Sequence, residues 1–223
     1  MKFRVGILTI SDKGHAGERE DTAGPELGRL LDPKIYRVAA TAIVPDEQEA
    51  IVGQLVDWSD RGRLDLILTT GGTGLTPRDI TPEATLAAAH RLVPGIPEAM
   101  RAAGLQKTPH AMLSRAVAVT RGCTLIINLP GSPKGARESL EAVLPALPHA
   151  LEKLGGSPAE CGTGGRQFQV QSSKLQVDKK PGVDLVVLCL ADHYPLINTP
   201  CSLHPNPWPL PPGHWPLTLI TGS

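Results

Sequence analysis

Four short segments of this chain are apolar almost throughout, and each runs into a turn: residues 3–10 (FRVGILTI), 37–44 (RVAATAIV), 64–69 (LDLILT) and 124–129 (TLIINL). A strand with one wet face alternates apolar and polar residues. These do not alternate, so both of their faces must be covered. The covers can be read between them. Residues 24–31 carry Leu27, Leu30 and Leu31, and residues 46–59 carry Ile51, Val52, Leu55 and Val56, at the spacing of one helix face. Further helices read at 82–90, 96–103, 134–144 and 146–154. The expected fold is α/β: a three-layer, mostly parallel sheet with helices on both faces. Such sheets take their ligands at the carboxyl ends of the strands.

The alternation stops near residue 155, so the expected division is a domain at 1–155 and a Pro-rich tail at 156–223. Ten of the 22 prolines fall in that tail, a density that argues for a largely disordered segment. Residues 183–190 (VDLVVLCL) are its one candidate strand, and Trp208 and Trp215 its candidate anchors for a partner. The formal net charge is zero, which speaks against holding nucleic acid by bulk electrostatics. Aromatics at 3% leave no stacking platform for single strands. No apolar run reaches the roughly 20 residues of a membrane span. The short first strand, followed at once by Asp12 and Lys13, is not a signal peptide, and a cytoplasmic protein is expected. Cys123, Cys161, Cys189 and Cys201 fit no zinc spacing.

Several turns at the expected ligand edge could carry chemistry. Gly71, Gly72, Thr73 and Gly74 follow the third strand. They suit either a phosphate cradle of backbone N–H groups or a tight strand-to-helix turn. Neither the Walker loop nor the dinucleotide fingerprint is present. Residues 128–135 (NLPGSPKG) form a second such turn. There Gly131 or Ser132 can donate to an anion, a helix N-terminus follows, and Lys134 and Arg137 supply local charge. Asp79 lies just before Thr81 and Pro82, which read as an N-cap and first helical residue. Capping and ligand contact are equally open for this segment. Asp46, with Glu49 three residues on, reads first as a capping box, yet it also ends a strand on the ligand edge. Ser11 opens a long polar loop, residues 13–22, a common place for binding residues. His90 has no second metal ligand at helical spacing and reads as an ordinary surface or core residue.

Taken together, ILTISD (residues 7–12), Asp21-x-x-Gly24, VPDEQ (44–48), LILTTGGTGLTPRDITPEAT (66–85), PHAMLSRA (109–116) and TLIINLPGSPKG (124–135) resemble one family. It is the molybdenum-cofactor biosynthesis family of bacterial Mog and MoaB proteins, the plant molybdopterin adenylyltransferase domain and the gephyrin G domain. The resemblance spans residues 3–155 and leaves the tail without a counterpart. It implies a molybdopterin adenylyltransferase. AMP passes from ATP to the terminal phosphate of molybdopterin, pyrophosphate leaves, and the adenylylated pterin goes on to molybdate insertion by a further protein. It also implies a homotrimer. Asp46 and Asp79 match the family's catalytic carboxylates. The turn at Gly71, Gly72, Thr73 and Gly74, and the turn at Pro130, Gly131 and Ser132, match its nucleotide and pterin segments. Ser11 matches a binding position.

In this reaction the nucleophile belongs to the substrate, so the protein must align two polyanions and neutralise charge. Carboxylates beside phosphates repel them unless a cation intervenes. Asp46 and Asp79 are therefore expected to act through Mg²⁺. Lys134 and Arg78 are further candidates for charge near the leaving group. The alternative of another class is a non-catalytic molybdopterin-binding protein that serves as a trimeric scaffold.

Overall fold

The computed structural model of the protein describes residues 2–156. The expectations for the tail, including Trp208, Trp215 and a strand at 183–190, lie outside the described residues. Within them the chain forms β1 (Phe3–Ile10), a single turn α1 (Asp12–His15), α2 (Ala23–Leu30), β2 (Tyr36–Val44), α3 (Gln48–Val56), β3 (Leu66–Thr70) and α4 (Thr81–Ala88). Then come β4 (Arg91–Leu92), α5 (Gly95–Leu105), β5 (Ala118–Arg121), β6 (Thr124–Leu129), α6 (Pro133–Val143) and α7 (Leu147–Leu154). The six strands make one sheet in the order β2-β1-β3-β6-β5-β4. The four strands expected from sequence are its parallel part. β5 runs antiparallel to β6, and β4 antiparallel to β5, which gives the sheet its mixed edge.

The period of two along each strand explains the three layers. Val5 and Ile7 of β1, Leu66 and Leu68 of β3, and Leu125, Ile127 and Leu129 of β6 join one buried cluster with Leu27, Met100, Leu140 and Leu151 of the helices. Leu8, Ile10, Ile67 and Ile126 point the other way, onto Ile51, Leu55, Ala84 and Trp58. The central strands are thus buried on both sides, which is why their sequences are apolar without alternation. Among the described residues, no helix is long and apolar enough to cross a membrane.

Two capping expectations change. The third helix starts at Gln48 rather than at Asp46, its cap position is Glu47, and no side chain caps it. The fourth helix includes Thr81 and takes Ile80 as its cap. Thr81 is fully buried, and its hydroxyl oxygen has no hydrogen-bond partner among the described residues. In both places a tertiary contact replaces the local one. Asp46 is engaged by Asp12, 34 residues away, and the Thr81 N–H donates to the Gly72 carbonyl at 3.1 Å.

The chain order sets where a ligand can enter. From β1 the chain steps outward to β2, then crosses back over β1 to β3. Successive connections therefore diverge between β1 and β3, and a crevice opens outside the carboxyl ends of those strands. Gly71 makes the turn there. Its φ is +107°, and a Cβ at this position would overlap the Ile10 carbonyl oxygen. Only glycine meets both conditions without strain. Gly71→Ala is expected to destabilise the fold by about 3 kcal/mol, from backbone strain and overpacking, as measured by urea denaturation.

Candidate functional site

Strand register brings the site together. Ile10 pairs with Val44, Thr9 with Thr70, and Thr70 with Leu129. The residues just past those ends therefore share one edge. A cleft of about 350 Å³ lies there, and Ser11, Asp46, Gly71, Gly72, Asp79 and Gly131 are among its walls. Asp46 comes from the β2–α3 loop and Asp79 from the β3–α4 loop, so the two carboxylates converge from separate segments. The polar loop at 13–22 closes another side through Arg19, Glu20 and Asp21.

The glycine turns do not act as single units. Gly71 and Gly72 face the acidic cleft, whereas Thr73 and Gly74 line a second cavity of about 310 Å³. Pro130 borders that second cavity, Gly131 borders the first, and Ser132 borders both. The walls of the second cavity include apolar Met100, Ala103, Ala111 and Leu113 together with charged Arg101, Lys107 and Glu138. The Gly71 N–H donates to the Leu129 carbonyl at 3.3 Å. No acceptor among the described residues takes the N–H of Gly72 or Gly131. Ser132 accepts the Gly135 N–H as the cap of α6, and Ser11 accepts the Gly14 N–H as the cap of α1, each at 3.1 Å.

Asp46 and Asp79 are held by different means. The Asp12 N–H donates to Asp46 Oδ2 at 2.8 Å, and the Asp46 N–H donates back to Asp12 Oδ1 at 2.9 Å. Asp12 in turn receives a two-pronged contact from Arg78, with Nη2 at 2.6 and 2.7 Å and Nε at 3.1 Å. The Arg78 charge is thereby committed to Asp12, and neither Arg78 nor Lys134 lines either cavity. Asp79 Oδ2 accepts from the Thr76 N–H at 2.8 Å and from the Thr76 hydroxyl at 2.6 Å. Oδ1 of both Asp46 and Asp79 receives no hydrogen bond from the described residues. His90 accepts the Gly122 N–H through Nδ1 at 3.0 Å, on the β5–β6 turn.

Sequence reading left three residues of this region without a role. Asp12 joins the β1 and β2 loops. Asp21 holds the Thr9 hydroxyl and the Ala23 and Gly24 N–H groups at the start of α2, at 2.7–3.0 Å. Arg115 reaches the Gly74 carbonyl, the Asp79 carbonyl and the Glu83 carboxylate. Nothing in the spacing of Asp12 or Arg115 marks a role, because their partners are distant in sequence; Asp21 holds two N–H groups at a local turn spacing, two and three residues on, and the distant Thr9 besides.

The charges are unevenly balanced. The Arg78 guanidinium holds the Asp12 carboxyl below the usual aspartate range. Burial pushes the Asp46 carboxyl above it, and the charges of Asp12 and Asp79 add to the push against the pull of the Asp12 N–H and Arg78. The donor set suits a hard divalent cation: two carboxylates, each with a free oxygen, in a spot carrying excess negative charge. Among the described residues no group of three or more His, Cys, Asp or Glu side chains could cage an ion alone. A cation here would need substrate oxygens as well, which is the habit of Mg²⁺.

This is a doubly wound α/β domain with its ligand cleft at the point where the strand order reverses. The chain belongs to the MoCF_biosynth family, described as a probable molybdopterin binding domain, which matches residues 6–149. It is 41% identical to the molybdopterin adenylyltransferase of Helicobacter pylori J99 over 157 residues, covering 70% of this chain and 89% of that one. It is 43% identical to the gephyrin of Dictyostelium discoideum over 164 residues, but spans only 23% of that protein. Among solved structures, the molybdopterin biosynthesis enzyme MoaB of Thermus thermophilus is similar at 61% identity and a TM-score of 0.67, covering 71% of this chain and 99% of that one.

The elevated Asp46 has a consequence for stability. The folded site favours its neutral form more than the unfolded chain does, so ionised Asp46 subtracts from stability at neutral pH. That cost vanishes below the ordinary aspartate value of 3.8, where the group is neutral in both states. Asp46→Asn is expected to raise Tm at pH 7 and to leave it nearly unchanged in acid, as thermal melts across that range would register.

Proposed function

We propose that the protein is a molybdopterin adenylyltransferase of molybdenum cofactor biosynthesis. It joins AMP from ATP to the terminal phosphate of molybdopterin. The observation that carries this reading is the meeting of Asp46 and Asp79, from separate loops, in one cleft beside Gly72 and Gly131. Relatives named molybdopterin adenylyltransferase at about 40% identity support it.

A phosphate oxygen of the pterin attacks the α-phosphorus of ATP, and the bond to the departing pyrophosphate breaks. No protein nucleophile is needed. Gly72 and Gly131 offer neutral N–H donors to phosphate oxygens, which suits a chain of zero net charge. Asp46 and Asp79 would hold Mg²⁺ through their free Oδ1 atoms; when bound, it supplies positive charge to the phosphates. The reciprocal clamp with Asp12 keeps Asp46 from turning away from that position. Two adjoining cavities that share Ser132 suit a reaction that joins two large ligands. A homotrimer, cytoplasmic residence and hand-over of the product to a molybdate-insertion protein belong to the same proposal. Leu92 and Met112, each 61% exposed, are apolar surface of the kind that subunit contact covers.

Purified protein supplied with ATP, Mg²⁺ and molybdopterin is expected to release pyrophosphate. A chelator should stop the release. Asp79→Asn should lower turnover by about a hundredfold or more with an unchanged melting temperature. Full activity in that variant removes Asp79 from the mechanism. Molybdopterin binding without pyrophosphate release would favour the non-catalytic alternative.

A further inference from the structure

The segment PHAMLSRA lines the second cavity through Ala111 and Leu113, and its arginine, to which the reaction above gives no role, ties the site together. The Arg115 Nε donates to the Gly74 carbonyl at 2.7 Å. One terminal nitrogen donates to the Glu83 carboxylate and the other to the Asp79 carbonyl. Its own backbone N–H donates to the Thr73 carbonyl at 3.0 Å. One residue thus meets the glycine turn, the Asp79 loop and the first turn of α4. All three acceptors of the guanidinium lie 32 to 41 residues away in sequence.

We infer that Arg115 is a positioning residue that fixes the Asp79 loop against the glycine turn and so holds the Asp79 carboxylate at the cleft. The stretch from 71 to 80 contains no helix or strand, so no ladder of backbone bonds sets its shape. Within it, Asp79 is bound to Thr76 through both its N–H and its carboxylate. Those bonds shape the loop internally and do not place it. The Arg115 fork supplies the outside reference, with three donors in one plane aimed at three groups. Arg78 also reaches out of the loop, to Asp12, but through an exposed side chain, and such a pair holds a backbone only weakly. The Thr81 N–H on the Gly72 carbonyl closes the loop at its base. Lysine cannot take over from Arg115, because a single ammonium lacks the fork geometry.

The rate arm of the test rests on the proposed adenylyl transfer; the exchange arm does not. Arg115→Lys and Arg115→Ala are compared with wild type in the full chain. Hydrogen exchange by mass spectrometry is expected to quicken at residues 73–79 in both variants, with β1, β3 and β6 as protected as in wild type. Turnover is expected to fall about a hundredfold, the scale of a displaced catalytic group, with KM for both substrates changed far less. Guanidinium ion, well below denaturing concentrations, should restore part of the turnover of Arg115→Ala and add none to wild type. Wild-type turnover in Arg115→Lys, or unchanged exchange at 73–79, overturns the inference. Faster exchange across the whole sheet also overturns it, since that marks a general loss of stability. If wild type releases no pyrophosphate, the adenylyltransferase reading falls and the exchange at 73–79 still decides the role of Arg115.

Discussion

Four parallel strands stop at one level, the inner three buried on both faces and β2 half-exposed at the sheet's edge, and so bring their carboxyl-terminal connections together. Everything in the cleft depends on that constraint. Ser11, Asp46, Gly71, Gly72 and Gly131 all lie within two residues of a strand end. Short connections from a buried sheet give such residues little freedom, and rigid elements place groups more reliably than long loops do. Asp79 is placed differently. It sits nine residues past the end of β3 and needs other bonds to place it.

Electrostatics then decide what the edge can hold. The local balance is acidic, although the chain as a whole is neutral. Asp12 takes the direct contacts of the Arg78 guanidinium, and no ion pair among the described residues engages Asp46 or Asp79. A folded protein keeps such an unfavourable pair only where the surrounding structure over-determines it. Here the reciprocal bonds between Asp12 and Asp46 and the Thr76 bonds to Asp79 do that.

The parallel core was legible in sequence because burial on both faces writes an uninterrupted apolar run. The antiparallel edge was not: β4 has two residues and β5 four, too few for a period to show. The place of Asp46 at the cleft followed from its motif and from the strand-end rule, that of Asp79 from its motif alone. The bonds that hold them did not. Asp46 imitates a helix cap locally, and only the fold reveals that Asp12 claims it instead. Arg115 was invisible for a simpler reason. Two of its three acceptors are main-chain carbonyls, which every residue possesses, so no pattern of side chains announces them. The split of the Gly71–Gly74 turn between two cavities likewise arises from backbone direction, with positive φ at Gly71 and Gly72.

The shared rim at Ser132 bears on how a reaction here would end. Two reactants that occupy adjoining chambers can each leave alone. Once joined, they form one molecule anchored at both ends, and escape requires both anchors to let go in concert. The conjugate would therefore dwell longer than either precursor, and a recipient able to pry one end loose would speed its departure more than dilution could.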